Sequence, residues 1–336
     1  MAGTDDGTVT PRIVVSGVGG AGCNTINRLA HVGIQGAELI AYNTDKKHLN
    51  IVNEKARKVL LGESVTKGLG AGGFPETAMK AAELSRGEIE NLLQGTDLMF
   101  LAAGMGGGTG TGASPIIAEV ARKQGAIVVA IVTYPFVLER ARLKKAEAGI
   151  NELRKYVDTI VVIDNNKLVD YVPNLPIEQA FNIADEITAR AVRGIVETIT
   201  TPSLINLDFA DVKTVMTNGG VSMIAVGESK GPNRARDITE NTLHHRLLDV
   251  DHRGATGMML HLTGPGDMTL GEANEVGEAI TSEVDPNANV IWGARLDPTF
   301  DNKLEAFAIF TGIKAPFMVG RKPPEKAKDG FDFEAL

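Results

Sequence analysis

Short apolar runs alternate with amphipathic stretches through the first half of the chain. PRIVVSG (11–17), ELIAYNTD (38–45), KVLLG (58–62), TDLMFLAAG (96–104), AIVVAIVTY (126–134) and DTIVVIDN (158–165) read as strands. Helical patterns separate them at 20–31, 75–94, 114–124 and 143–156, the second opening on a proline suited to a first helical turn. Strands that are apolar throughout, each followed by a helix, predict a parallel sheet covered on both faces. Residues 177–200 then form one long helical pattern, in which Ile177, Phe181, Ala184, Ile187, Ala191, Ile195 and Ile199 make an apolar stripe. Beyond it the pattern changes. Strands at 222–229, 257–264, 289–296 and 304–312, with helices near 233–249 and 269–283, predict a smaller α+β unit. The expected division is a flexible N-terminus (1–10), an α/β parallel-sheet domain (11–176), a central helix (177–200), a C-terminal α+β domain (201–318) and a flexible tail (319–336).

The 336 residues suffice for two domains with proper cores. Lys+Arg 34 against Asp+Glu 42 leaves a net charge of −8, which argues against nucleic acid as a partner. One cysteine, Cys23, cannot form an internal disulfide, as suits a reducing cytosol. MAGTDDGTVTPR lacks a signal-peptide pattern, and the longest apolar stretch, 126–138, is too short for a bilayer and contains Pro135. The expectation is a cytoplasmic protein without direct membrane insertion. His244-His245 has no companions at metal-ligand spacing and reads as helix surface; no protein-held metal site is expected.

Two glycine-rich loops each join a strand to a helix. GVGGAGCN (17–24) satisfies G-x-G-x-x-G through Gly17, Gly19 and Gly22, and alone it suits a dinucleotide, with Asp45 as the acid expected after the second strand. GMGGGTGTG (104–112) is the second loop, and KGLGAGG (67–73) offers a third wall. Backbone amides from several loops and two helix N-termini can surround a triphosphate without a lysine. The competing reading is that the glycines only permit tight turns. A nicotinamide-dependent oxidoreductase would use the first loop and leave the second idle.

These motifs resemble the tubulin/FtsZ superfamily of GTPases. GVGGAGCN, NTD, GLGAGG, AAGMGGGTGTGA, the PF-x-x-E segment, NNKL, AFNIAD and NLDFADVKTVM carry the likeness, which runs from about residue 11 to 318; the last motif is closest to the FtsZ branch, with an archaeal form expected. The resemblance implies GTP/GDP and Mg2+. It also implies a nucleotide set of Gly19, Gly20, Ala21, Gly22, Cys23, Asn24, Asn43, Asp45, Gly72, Gly73, Gly104, Gly106, Gly107, Gly108, Thr109, Gly110, Thr133, Pro135, Glu139, Arg142, Asn166, Phe181 and Asp185. Phe181 would stack on guanine and Asp185 hydrogen-bond it, four residues apart on one helix face. A carboxylate suits the N1–H and exocyclic amine of guanine and repels the N1 acceptor of adenine. Phe181 also reads as core packing, Asn24 and Asn166 as turn supports, and Glu139 and Arg142 as a solvated helix start. PFVLERARLKK is one residue shorter here than the common bacterial PF-x-x-E-G-x-x-R spacing.

Asn206, Asp208 and Asp211 match the family's catalytic loop, although Asp208 and Asp211 also suit a helix N-cap. The helical rise from Asp185 to Thr200 is about 22 Å at 1.5 Å per residue, which puts these acids far from their own nucleotide. They would reach one held by a neighbour stacked head to tail, a contact that propagates into a filament. The resemblance further implies a cell-division ring at mid-cell and membrane-anchoring partners docking on the C-terminal tail through FDFEAL. A nucleotide-binding filament protein with little hydrolysis is the alternative.

Overall fold

The computed structural model describes residues 10–171, 174–201, 204–205, 207–217, 219–243 and 253–313. The expected N-terminal arm (residues 1–9 of it), Asn206, the His244-His245 pair, the end of the 233–249 helix and the tail with FDFEAL lie outside these residues.

The chain runs through β1 (Ile13–Val18), α1 (Gly19–Val32), β2 (Ala37–Asn43), α2 (Lys46–Asn50), β3 (Arg57–Leu60), the one-turn α3 (Glu63–Thr66), α4 (Pro75–Leu84) and α5 (Arg86–Leu93). It continues with β4 (Leu98–Gly104), α6 (Thr109–Lys123), β5 (Ile127–Tyr134), a 3-10 turn (Val137–Glu139), α7 (Arg140–Leu153), β6 (Thr159–Asp164) and α8 (Asn166–Tyr171). After α9 (Ile177–Thr200) come α10 (Phe209–Met216), β7 (Gly220–Lys230), α11 (Arg234–Leu243), β8 (Gly257–Gly264), α12 (Leu270–Thr281), β9 (Asn289–Leu296) and β10 (Lys303–Thr311).

All ten strands join one sheet in the order β3-β2-β1-β4-β5-β6-β7-β10-β8-β9. The first six are parallel, as the unbroken apolar runs predict. Alternate residues of β1 divide between its two faces: Ile13 and Val15 join the core beneath α1 and α9, while Val14 and Val18 join the core beneath α4, α5 and α6. β7 continues the parallel set through three residue pairs, Thr159 with Gly220 to Val161 with Ser222. β10 then runs antiparallel to both β7 and β8. The mixed second half packs α11 and α12 over a third core that includes Met258, Leu260, Val276 and Phe310.

Two elements differ from the sequence pattern. The helix expected over 75–94 breaks at Ser85, whose hydroxyl accepts the amide of Gly62 (3.0 Å). The helix expected from 114 begins at Thr109, inside the glycine loop. Its low-propensity start is set by packing: a side chain on Gly110 would strike the Gly104 carbonyl, and one on Gly112 the Pro75 carbonyl.

α9 connects the two edges of the parallel sheet. Near its start, Glu186 pairs with Arg28 of α1. At its end, Thr200 packs against Gly36, which immediately precedes β2, so this end lies at the edge where the parallel strands begin. The end of α10 is tied to the same edge, because the hydroxyl of Thr159, first residue of β6, donates to the Met216 carbonyl (2.8 Å). Among the described residues no helix is long and apolar enough to cross a membrane.

Candidate functional site

Strand order reverses between β1 and β4, and in an open parallel sheet the crevice beyond such a switch point is where ligands bind. Both glycine loops leave the sheet there. Gly19 adopts φ +74°, and a Cβ on it would come within 2.8 Å of the Gly110 nitrogen, so the two loops lie against each other. The third loop closes the side: a Cβ on Gly108 would meet the Phe74 nitrogen at 3.1 Å and the Gly73 nitrogen at 3.3 Å. The N-termini of α1 and α6 therefore face one volume, where their unpaired amides favour an anion.

That volume is a cavity of about 1370 Å3. Of the expected nucleotide residues, Gly20, Ala21, Asn24, Gly104, Gly107, Gly108, Thr109, Gly110, Thr133, Pro135, Glu139, Arg142, Phe181 and Asp185 line it. The others support it from behind. Gly19 and Gly22 are buried in the first loop, and Asn43 donates to the buried Cys23 thiol (3.6 Å). Asp45 caps α2, accepting through Oδ1 from the amides of Lys47 (2.9 Å) and His48 (3.1 Å), and is not among the residues lining the cavity. Gly73 backs Gly108, Gly72 lies against the Phe74 ring, and Gly106 packs on Arg142, a Cβ there meeting that residue's Cβ at 2.9 Å. Asn166 accepts from the Val137 amide (2.8 Å) and donates to the Pro135 carbonyl (3.3 Å), bracing the 135–137 turn; its neighbour Asn165 lines the cavity instead.

The shortened segment after Pro135 still delivers both charged residues. Glu139 accepts from the Phe136 amide (3.1 Å) and from Arg142 (2.6 Å), and both face the cavity. Phe181 stays 41% exposed despite its place on the apolar stripe of α9, and meets Phe136 edge-on at 5.5 Å. Phe181, with Phe136 packed against it, gives the cavity a ring suited to a planar base. Asp185 sits beside them. Burial pushes its carboxyl up to about 7, against the opposing charge of Arg28 and a hydrogen bond from Asn24.

The sequence reading missed Asn27, Arg28, His31, Val32, His48, Met105, Asn165 and Asn182. Part of this set was readable: Gly20, Asn24, Asn27 and His31 recur at helical spacing, so once Gly20 and Asn24 face a ligand the others follow. His48 carries no such signal, since α2 is a single short turn.

The acids lie elsewhere. Neither Asp208 nor Asp211 lines the cavity. Asp208 is exposed and caps α10: its side chain accepts the Asp211 amide (2.7 Å), while the Asp211 side chain accepts the Asp208 amide (3.3 Å). The reciprocal box uses one oxygen of each carboxylate. The capping role read from sequence is thus present in the structure.

Residues 12–173 match the family model described as Tubulin/FtsZ family, GTPase domain, and 220–314 match FtsZ family, C-terminal domain. Cell division protein FtsZ 2 of Methanocaldococcus jannaschii is 58% identical over 318 residues, covering 94% of this chain and 83% of that protein. The chain belongs to the tubulin/FtsZ family. Another archaeal FtsZ 2, from Haloferax volcanii, is 50% identical over 324 residues, covering 96% of this chain and 81% of the relative. A solved FtsZ dimer from M. jannaschii superposes with a TM-score of 0.86 at 48% identity, covering 90% of this chain and 89% of that one. CetZ1 from Haloferax volcanii, at 20% identity and TM-score 0.79 over 92% of this chain and 96% of its own, shares the fold. As a tubulin/FtsZ-family GTPase the chain binds guanine nucleotide, and the dinucleotide reading of the first loop is set aside.

Among the described residues no group of three His, Cys, Asp or Glu side chains is placed to hold a metal ion. Mg2+ accompanying a triphosphate needs no such cage, because phosphate oxygens and water fill most of its shell. The Thr109 hydroxyl, held 2.7 Å from that of Thr44, is a fitting oxygen ligand on the phosphate-loop wall of the tubulin/FtsZ site.

Proposed function

We propose that this chain is a cell-division GTPase of the FtsZ type that works as a head-to-tail polymer. Asp208 and Asp211 of one subunit complete the nucleotide site of the next. The observation that carries this reading is the placement of cavity and acids at opposite edges of one sheet. The glycine loops follow the ends of β1 and β4, whereas Thr200 and Met216, which bracket the acidic segment, pack where the parallel strands begin. With six residues in β6 at about 3.3 Å each, the sheet alone separates the two edges by roughly 16–20 Å.

Residues 11–176 hold the nucleotide and 201–318 carry the acids, with α9 as the rigid strut between them. Phe181 stacks on the base, and Asp185 accepts its N1–H and exocyclic amine. The loop amides and Arg142 surround the phosphates. Thr109 would help hold a Mg2+ accompanying the triphosphate, which would supply charge neutralisation at the phosphates. The capping box fixes the two acids and leaves each with an oxygen to accept from a water in line with the γ-phosphate; Asn206 precedes Asp208 by two residues in the sequence. Loss of the γ-phosphate removes contacts at the interface and weakens it. The protein acts in the cytoplasm at the mid-cell division site, and membrane-anchoring partners reach it through the tail.

Sedimentation with GTP, GDP and ATP in parallel, with released phosphate measured in the same tubes, tests the coupling. Pelleting and phosphate release are expected with GTP only, above a threshold protein concentration. Asp208→Ala should still bind GTP and pellet, while turnover drops about 100-fold or more, the scale of a lost general base. Wild-type turnover in that variant, or activity linear in protein from zero concentration, would falsify catalysis across the interface.

A further inference from the structure

His48 lies on a short helix outside both glycine loops, yet its ring faces the cavity. Its Nε2 is 3.2 Å from Asn24 Oδ1. Its Cε1 lies 3.6 Å from where a Cβ on Gly20 would stand. Gly20 and Asn24 are four apart in α1 and share a face, so the imidazole covers one turn of that helix. The ring is held from its own side: the Asp45 carboxylate caps α2 by accepting the His48 amide, and Leu49 is buried in the core.

Asn24 and Asp185 line the same cavity, and the Asn24 side chain acts on the Asp185 carboxyl as a donor that favours its ionised form. A carboxylate only accepts, so Asn24 must present its NH2 to Asp185. Nothing in an amide's shape fixes that choice, because rotation by half a turn exchanges N and O at almost no steric cost. The partner on the far side decides. In the Nε2–H tautomer, which the proposal takes, His48 can only donate there, so it selects the state in which Oδ1 faces the ring and NH2 faces Asp185.

We propose that His48 is a positioning residue for base recognition, locking Asn24 in the orientation that supplies Asp185 with a fixed donor while its remaining lone pairs accept guanine. This rests on the assignment of Asp185 to the base. Asp45 gains a role too: it places the imidazole. With His48 removed, Asn24 is free to turn its oxygen toward the carboxylate, and the two acceptors then repel across the base-binding slot. The other charged neighbour of Asp185 is Arg28, which pairs with Glu186 and does not depend on His48.

The test uses the full-length chain and competition between GDP and a fluorescent GDP analogue, below the assembly threshold, with turnover at saturating GTP measured separately. His48→Ala should raise the Kd for GDP about fivefold, the fold-change of one net hydrogen bond, with the loss recovered at saturation. His48→Lys, whose ammonium can only donate to Asn24 Oδ1, should restore most of the affinity. In an Asn24→Ala background the His48→Ala change should add less than about twofold, because coupled residues are not additive. An unchanged Kd in His48→Ala, no recovery in His48→Lys, or full additivity with Asn24→Ala would each overturn the proposal. If the assignment of the base to Asp185 is itself wrong, Asp185→Asn will leave wild-type GDP affinity intact; a failed relay alone leaves Asp185→Asn defective.

Discussion

On the proposed assignment of Asp185 to the base, its raised pKa makes guanine binding pH-dependent with a definite sign. In the free protein burial holds the carboxyl at about 7, against about 3.8 unfolded. Guanine offers two N–H donors to this group and therefore binds its ionised form. At pH 8 roughly nine in ten free molecules are already ionised, and at pH 6 roughly one in ten. Binding at pH 6 must expel a proton, so affinity falls about tenfold from pH 8 to pH 6, or ~1.4 kcal/mol. Phosphate groups also titrate near pH 6. The informative quantity is thus the difference between the wild type and Asp185→Asn, measured by calorimetry with GDP in buffers of different ionisation enthalpy. The wild type should release close to one more proton at pH 6 than the variant does. The variant should bind xanthine nucleotide better than guanine, because an amide donates to the O2 of xanthine while accepting from its N1–H. Equal proton release by the two proteins would refute the reasoning. Without nucleotide the sign for stability is opposite in origin: a raised folded pKa contributes stability below about 4 that is lost as pH rises through 7, so Asp185→Asn should melt higher than wild type at pH 8.

Two further outcomes follow from the second half of the sheet. A Cβ on Gly293 of β9 would come within 2.8 Å of the Ile205 carbonyl and 3.0 Å of Leu207 Cγ, where the chain enters the acidic segment. Gly293→Ala should therefore lower turnover at least tenfold by displacing Asp208, with GDP affinity unchanged; normal turnover would show that this seat does not set the acids. Arg234, 6% exposed, is clamped by Glu272 (2.7 Å) and Asn302 (3.0 Å), joining the starts of α11 and α12 to the β9–β10 turn. Arg234→Met, which leaves the partly exposed Glu272 carboxylate without its cation, should destabilise by about 2 kcal/mol in urea melts at pH 7, the scale of hydrogen bonds to a charged group. The Arg234 guanidinium holds the Glu272 carboxyl down to about 2 against an ordinary 4.5. That stability is present above pH 4.5 and lost as pH falls toward 2, so the gap between variant and wild type should shrink in acid.

The strands and the nucleotide loops were legible because each depends on local pattern: unbroken apolar runs for a doubly covered sheet, and glycines where backbones must touch. Phe181 shows where periodicity misleads. Its place on the stripe of α9 reads as core, but the helix outruns the sheet and leaves that ring against Phe136 over the cavity. The break at Ser85 was invisible because it is made by the amide of Gly62, 23 residues away. Asn165 and Asn166 are adjacent in sequence and only the path of β6 into α8 decides which of them faces the site. The separation of Asp185 from Thr200 was legible, since α9 spans Ile177–Thr200 as its pattern predicts and helical length converts directly to ångströms.

On the proposed arrangement, separating cavity and acids along α9 also makes the two tips of any polymer chemically different. A terminal subunit at one tip holds nucleotide with no acids over it, while at the other tip bare acids face solvent. An array of n subunits then has n − 1 working centres, and its exposed nucleotide is the one that escapes cleavage. A subunit whose acids are removed silences its neighbour's site and not its own, so in mixed arrays the loss of activity should scale linearly with the fraction of defective copies.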